Sequence, residues 1–321
     1  HKKEAYGLLK RWYHKTTGRL LKPTREDLAK ISDDFERLFS QRLPPGEDLP
    51  IHVDPFPIPD TVPDEDKIGK AIMRLKNGKS PGATGMRAED LKRWYPSREA
   101  KPEPWEKLVA IIQTTFHTGE IPFVIPHCIL ALIPKTDSSQ MRGIGLMEII
   151  WKTITKIMND RINENVKFHD GLHGCVPGRG TGTALIETKL AMQLAQRDSR
   201  PWYQIFLDLT KAFDSIDRER LLRILAQYGV GPNIIRLLRN FWSKHIYVPR
   251  QAGYYGRHFK GERGATQGDV ISGTLFNILI DAITRHWYHE ISLIETIGIG
   301  QTDTRLMWYV DDSKLHGHNP V

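Results

Sequence analysis

Three carboxylates stand where chemistry needs them. Asp208 closes the apolar run Ile205 to Leu207, and the pair Asp311 and Asp312 sits in the turn of LMWYVDDSKL, residues 306–315. Acids that finish hydrophobic strands are brought together when those strands pair along one sheet. Carboxylates of like charge held close raise one another's pKa unless a cation neutralises them, and hard oxygen ligands of this kind select Mg²⁺ or Mn²⁺. Each feature also has a structural explanation, since Asp-Asp is a common turn pair and Asp after a strand is a common helix cap. Asp214 and Asp217 take that second role, as caps of a helix opening near Arg218. A further pair of charges, Lys135 and Arg142, flanks the polar run Thr136 to Gln140 and would place two cations side by side.

These residues need a scaffold of mixed type. Pro63 and Asp64 open a helix with the apolar face Ile68, Ile72 and Leu75, which Asn77-Gly78 close with a left-handed cap. Lys79 to Arg87 form a Gly-rich loop, and Ile129 to Ile133 read as a buried strand. Helices are expected over Ile149–Val166, Ala184–Gln196, Arg218–Tyr228, Asn233–Trp242 and Val270–Ile291. Ile246–Gly261 and Leu306–Leu315 read as β-hairpins. The order gives an α+β class built on a small antiparallel sheet backed by helices.

Composition narrows the function. Apolar residues are 40%, charged residues 26% and aromatics 9%, the values of an ordinary folded chain of 321 residues, so disorder and fibrous repeats are excluded. Two cysteines cannot build a disulfide framework, and such low usage fits an intracellular setting. The longest apolar stretch, Ile121 to Pro134, is interrupted by Pro122 and Pro126 and is too short to span a bilayer, so no membrane partner is expected. His1 in place of Met, with no apolar run behind it, reads as a cut terminus and not as a secretion signal.

Net charge is +8, and its distribution matters more than its sum. Residues 1–30 hold nine basic side chains, among them Lys2, Lys3, Lys10, Arg11, Lys15 and Arg19, against three acidic ones. Tyr6, Trp12 and Tyr13 are interleaved there, a mixture that suits phosphates and unpaired bases and equally suits a solvated helix with aromatics turned inward. Residues 31–66 invert the sign with ten acids and two bases, and seven prolines between Pro44 and Pro63 predict an extended connector.

The motifs then carry a resemblance. FLDLTKAFDSID (206–217) resembles motif A of reverse transcriptases, GATQGDVISGTLFN (264–277) resembles motif B, and YVDD (309–312) resembles the Y-x-D-D box of motif C. NGKSPGATGMRAEDLK (77–92) and ALIPK with MRGIG (131–145) are similar to the fingers motifs, and GLHGCVPGRGT (171–181) to the segment joining fingers and palm. The wording is closest to non-LTR retrotransposon enzymes, with group II intron enzymes as relatives. The resemblance implies a right-hand polymerase with fingers over residues 67–200 and palm over 201–321, no thumb within this chain, and a nuclear site if the source is a eukaryotic retrotransposon.

It also implies chemistry. Asp208 and Asp311 would bridge two Mg²⁺ (or Mn²⁺) ions, with Asp312 auxiliary; Lys135 and Arg142 would sit over the dNTP triphosphate. Gln267 and Gly268 would lie under the nascent base pair, with Asp269 as cap of the following helix, and Phe213 would pack below the ribose. The expected partners are an RNA template, a DNA primer and dNTPs. Gly143 and Gly273 stand where the family usually has Pro, and Gly145 and Ala265 where other residues are commoner. Those exchanges support a catalytically impaired RNA-binding scaffold as the alternative. An RNA-directed RNA polymerase is less compatible with Phe213 and Val310, where such enzymes carry a second Asp and a Gly.

Overall fold

A computed structural model describes residues 25–40, 50–96, 101–134, 141–251, 253–291, 298–299, 302–303 and 305–317. In chain order the elements are helices α1 (Arg25–Ser40), α2 (Glu65–Met73), α3 (Ala88–Arg93) and α4 (Glu103–Thr118), strands β1 (His127–Pro134) and β2 (Met141–Leu146), helices α5 (Ile149–Asn165) and α6 (Thr181–Arg197), and strand β3 (Tyr203–Asp208). Helices α7 (Arg218–Gln227) and α8 (Pro232–Ser243) follow, then strands β4 (Ile246–Gln251), β5 (Tyr254–Tyr255) and β6 (Phe259–Lys260) and the long helix α9 (Ser272–Glu290). Four strands close the chain: β7 (Gly298–Ile299), β8 (Thr302–Asp303), β9 (Leu306–Tyr309) and β10 (Asp312–Gly317). Among the described residues no helix is long and apolar enough to cross a membrane.

The class is α+β with small sheets. One sheet runs β2-β1-β4-β5, with β6 also on β4; a second runs β3-β10-β9. The expected hairpin at 246–261 exists, yet β4 gives its other edge to β1 in parallel, with Ala131 opposite Arg250. A parallel pair needs a long crossover, and the chain from β2 through α8 supplies it.

Local signals account for several elements. Asp64 caps α2 by accepting from Lys67 N at 2.8 Å, and Gly78 takes φ +70 after it. Asp217 caps α7 by accepting from Arg220 N at 2.9 Å. The apolar faces of α2, α5, α7, α8 and α9 then close one core, in which Trp151 stacks on Phe241 at 3.8 Å between ring centroids.

The stretch expected as a connector is only partly one. Residues 31–40 belong to α1, whose Leu28, Phe35 and Phe39 share one face; Phe39 stacks on Tyr247 at 4.6 Å, and its carbonyl accepts from Glu262 N and Arg263 N. Burial of those rings outweighs the local acidity, because Asp33 and Glu36 turn outward to Arg257. Residues 41–49 lie outside the described residues, and residues 50–63 are extended and packed down: Ile58 N donates to Gly229 O at 2.9 Å, and the Asp60 carboxylate accepts from Asn233 N in the first turn of α8.

Candidate active site

The acids of the second sheet meet through backbone register. In the antiparallel pairing of β3 and β10, Asp312 stands opposite Asp208, and the turn between β9 and β10 puts Asp311 beside them, its carbonyl accepting from Leu209 N at 3.4 Å. Asp208 and Asp312 are exposed and Asp311 half-buried. None of the three has an ion pair among the described residues. As their side chains stand, no group of three or more His, Cys, Asp or Glu among the described residues is poised to hold a metal ion.

The turn that carries Asp311 is strained. Val310 has φ +60, a left-handed conformation that a β-branched residue adopts only when its surroundings impose it. The imposition comes from behind. Trp308 N donates to Gly171 O at 2.8 Å and His173 N to Trp308 O at 2.9 Å, so residues 171–173 meet β9 in a single parallel bridge between Leu172 and Trp308. A Cβ on Gly174 would collide with the Val310 backbone nitrogen and Cγ2, and Asn277 on α9 fixes Gly174 by donating to its carbonyl at 2.8 Å. His173 is fully buried, with Nδ1 3.0 Å from Thr183 Oγ1 and Nε2 3.3 Å from Glu187 Oε2. Burial pushes the His173 imidazole down to about 4 and the Glu187 carboxyl up, so burial disfavours the charged form of both partners in this contact. These supporting residues went unassigned in the sequence; the motif GLHGC was visible, its contact across to β9 was not.

Residues 264–271 of motif B form a loop, and the rest of the motif opens helix α9. Helix α9 begins at Ser272, and the expected capping by Asp269 does not occur. Its carboxylate turns inward instead and accepts from Trp151 Nε1 and Thr155 Oγ1 of α5, both at 2.8 Å. Two neutral indole and hydroxyl donors there compete successfully with the free backbone N–H groups three residues on. Burial raises the Asp269 pKa, against the lowering effect of those two hydrogen bonds. The loop between is stapled to β2: Gly145 N donates to Gln267 O at 2.7 Å, and Gly268, at φ +113, lies so close to Gly145 O that a Cβ would sit 2.5 Å from it. Gln267 and Gly268 remain exposed.

Phe213 is half-buried and stacked on Phe276 of α9 at 4.7 Å, with its carbonyl accepting from Ala265 N at 2.9 Å. Arg142 is exposed on β2 opposite Ile133. Lys135 lies outside the described residues, as do Lys2, Lys3, Lys10, Arg11, Lys15 and Arg19. The unusual glycines lie in close packing. A Cβ on Gly143 would lie 2.8 Å from Leu130 Cδ1 and 2.9 Å from Phe35 Cε1, so α1 packs closely over β2 there and a larger residue would push those side chains aside. A Cβ on Gly273 would lie 2.9 Å from Cys175 Sγ.

Residues 133–320 match the family model described as reverse transcriptase (RNA-dependent DNA polymerase), and the chain belongs to that family. Among its relatives is the Pol polyprotein of the type-2 retrotransposable element R2DM from Drosophila melanogaster, 23% identical over 246 residues, covering 75% of this chain and 22% of that protein. Another is a 149 kDa protein of transposon TX1 from Xenopus laevis, 23% identical over 226 residues, covering 67% of this chain and 16% of that one. The chain thus spans about a fifth of the length of these relatives. A solved telomerase from Candida tropicalis, in complex with a fragment of telomeric RNA, aligns over 73% of this chain and 44% of its own at 13% identity and a TM-score of 0.44.

Proposed function

We propose that this chain carries the catalytic centre of an RNA-directed DNA polymerase, adding dNTPs to the 3′-hydroxyl of a DNA primer on an RNA template. One observation carries the reading: Asp208 and Asp312 stand in register at the ends of paired strands, with Asp311 in a turn held against strain beside them. Three hard carboxylates without basic partners among the described residues are a donor set that fits Mg²⁺ or Mn²⁺. Asp208 and Asp311 would hold two such ions, with Asp312 assisting. Held by these carboxylates, such ions would supply a lowered pKa at the primer hydroxyl and charge neutralisation at the leaving pyrophosphate.

The other roles belong to the protein. Arg142, and Lys135 across the same loop, would neutralise the triphosphate during in-line displacement. Gln267 and Gly268 would support the new base pair from a loop whose backbone is stapled to the strand that bears Arg142. Phe213 would press on the sugar from its stack against Phe276. The impaired-scaffold alternative draws on the shortness of the chain and on the glycine exchanges and is opposed by the three acids; Gly143 and Gly273 both lie in close packing, against Leu130 and Phe35 and against Cys175. Primer extension on poly(rA) with Mg²⁺ or Mn²⁺ tests the proposal. Asp208→Asn and Asp311→Asn should each abolish extension while RNA affinity and melting temperature stay near wild type, because an amide keeps the shape and binds these cations poorly. Extension at a near wild-type rate by either variant removes the assignment.

A further inference from the structure

Helix α7 opens on an arginine that water hardly reaches. Arg218 is 6% exposed, in a first turn where the helix dipole favours acids over bases. Burying a cation is costly, and burial lowers the Arg218 pKa. What it touches explains the position. Arg218 Nε donates to Gly264 O at 2.9 Å, and Nη1 donates to Gly261 O. Nη2 lies 3.5 Å from Nδ1 of the buried His245, and the guanidinium carbon stands 5.4 Å from the centre of the Trp242 ring. Two carbonyls in the fork and a ring over its plane fix the orientation of the group.

The carbonyls it grips belong to the entry of the motif B loop. Gly264 takes φ +84, and a Cβ there would lie 2.9 Å from Asp214 O, so two backbones meet at this point. Gly264 N donates to Ile216 O at 2.8 Å, and Ala265 N to Phe213 O at 2.9 Å. Both acceptors lie on the turn that leaves Asp208 and ends at Arg218. Tyr247 of β4 adds a second support, its hydroxyl 2.8 Å from Thr266 Oγ1, while Ser272 Oγ donates to Thr266 O at 2.8 Å. Gln267 and Gly268 follow directly. One buried side chain therefore ties the segment that carries Asp208 to the loop that carries Gln267 and Gly268.

We propose that Arg218, supported by Tyr247, is a positioning residue of the dNTP site: through the carbonyls of Gly261 and Gly264 it holds Gln267 and Gly268 in a fixed place relative to Asp208. The inference rests on the polymerase reading above and deepens it, since Arg218 itself touches no substrate. Lysine cannot take over this task, because an ammonium is a point charge without the planar fork.

The test is steady-state primer extension on poly(rA) primed with oligo(dT), with dTTP varied, joined to amide hydrogen exchange of the same variants. Arg218→Lys should raise KM for dTTP about 10-fold, with kcat within about 3-fold and primer–template affinity unchanged, because roughly one charged hydrogen bond no longer holds the loop. Methylguanidinium, and not methylammonium, should return the KM of Arg218→Ala toward the wild-type value. Tyr247→Phe, which takes the hydroxyl from Thr266, should raise KM in the same direction by a smaller factor. The amides of Gly145 and Gly264, which bond to Gln267 O and Ile216 O, should exchange faster in Arg218→Lys, while those of α2 and α4 keep the wild-type rate. Tyr228→Phe is the structural comparison: it removes a buried hydroxyl from Asp281 without touching the loop, and should lower the melting temperature and leave KM alone. KM unchanged in Arg218→Lys, or in Tyr247→Phe where the lysine variant does not fold, overturns the proposal. So does a rise in KM matched by Tyr228→Phe or accompanied by faster exchange throughout the protein. The two readings fail separately: wild-type protein that extends no primer defeats the polymerase and the dNTP role with it, and normal extension with unaltered KM in the variants defeats only the positioning role.

Discussion

Replacing Asp269 by alanine and by asparagine should have very different costs, and the reason lies in what each donor on α5 can do alone. The carboxylate accepts from Trp151 Nε1 and Thr155 Oγ1, both at 2.8 Å. Indole N–H is a donor only, and Trp151 cannot turn to find another acceptor because its ring is stacked on Phe241 at 3.8 Å and 6°. Alanine would therefore orphan a buried N–H, at about 1–3 kcal/mol, and remove a charge-assisted bond to Thr155 worth up to about 2 more. Asparagine can keep Oδ1 on the indole and offer Nδ2 to Thr155 Oγ1, whose hydroxyl can turn to Lys152 O, 3.4 Å away. Its cost should be about 1 kcal/mol or less.

Urea unfolding at neutral pH measures both variants. Destabilisation by asparagine as large as that by alanine, or an alanine variant within about 0.5 kcal/mol of wild type, would refute the tether. Acidification supplies a second check. Burial holds the folded-state pKa of Asp269 above its ordinary 3.8, so between those two values the folded protein binds more protons than the unfolded chain. Stability from this group therefore rises as pH falls through that window. Asparagine has no such gain, and the gap between wild type and Asp269→Asn should widen on acidification.

Two further outcomes are expected. Phe213→Val should raise the use of ribonucleotides relative to deoxyribonucleotides, with a melting temperature lowered by the lost stack on Phe276, worth about 0.5–1.5 kcal/mol beyond area; a large stability loss with unchanged sugar preference would reduce Phe213 to a core residue. Deleting residues 1–24, which stops short of α1 and its buried Leu28, should weaken RNA binding and flatten its salt dependence, and an unchanged slope would show that those cations only solvate the segment.

Legibility in the sequence followed the range of the interaction. Helices α2, α5, α7 and α8 fall within a few residues of their apolar periods, because caps such as Asp64 and Asp217 act within one turn. The strand ending at Asp208 and the turn at Asp311 were legible for the same reason. Helix α1 was hidden by its own composition: Leu28, Phe35 and Phe39 keep helical spacing, yet the acids between them match the proline-rich stretch that follows. Asp269 misled in another way. It is the right residue type in nearly the right place for a cap, and its true partners lie more than 100 residues upstream. The parallel joining of β4 to β1 is likewise written in no local pattern, since it depends on where a hundred residues of crossover return the chain.

The candidate centre is consequently less local than its motifs. Val310 in a left-handed conformation costs about 1–3 kcal/mol, which the four residues of the turn cannot recover among themselves. Residues 171–174 supply two backbone hydrogen bonds to Trp308 and a surface without a Cβ against Val310. Asn277 fixes Gly174, and Lys314 on β10 reaches Thr188 of α6, so the hairpin is held by α6, by α9 and by the loop between α5 and α6. Asp208 enters from a separate strand through register alone. A carboxylate whose position depends on three distant segments responds to changes in any of them, and for that reason Gly174 and Asn277 are positioning residues of the candidate centre.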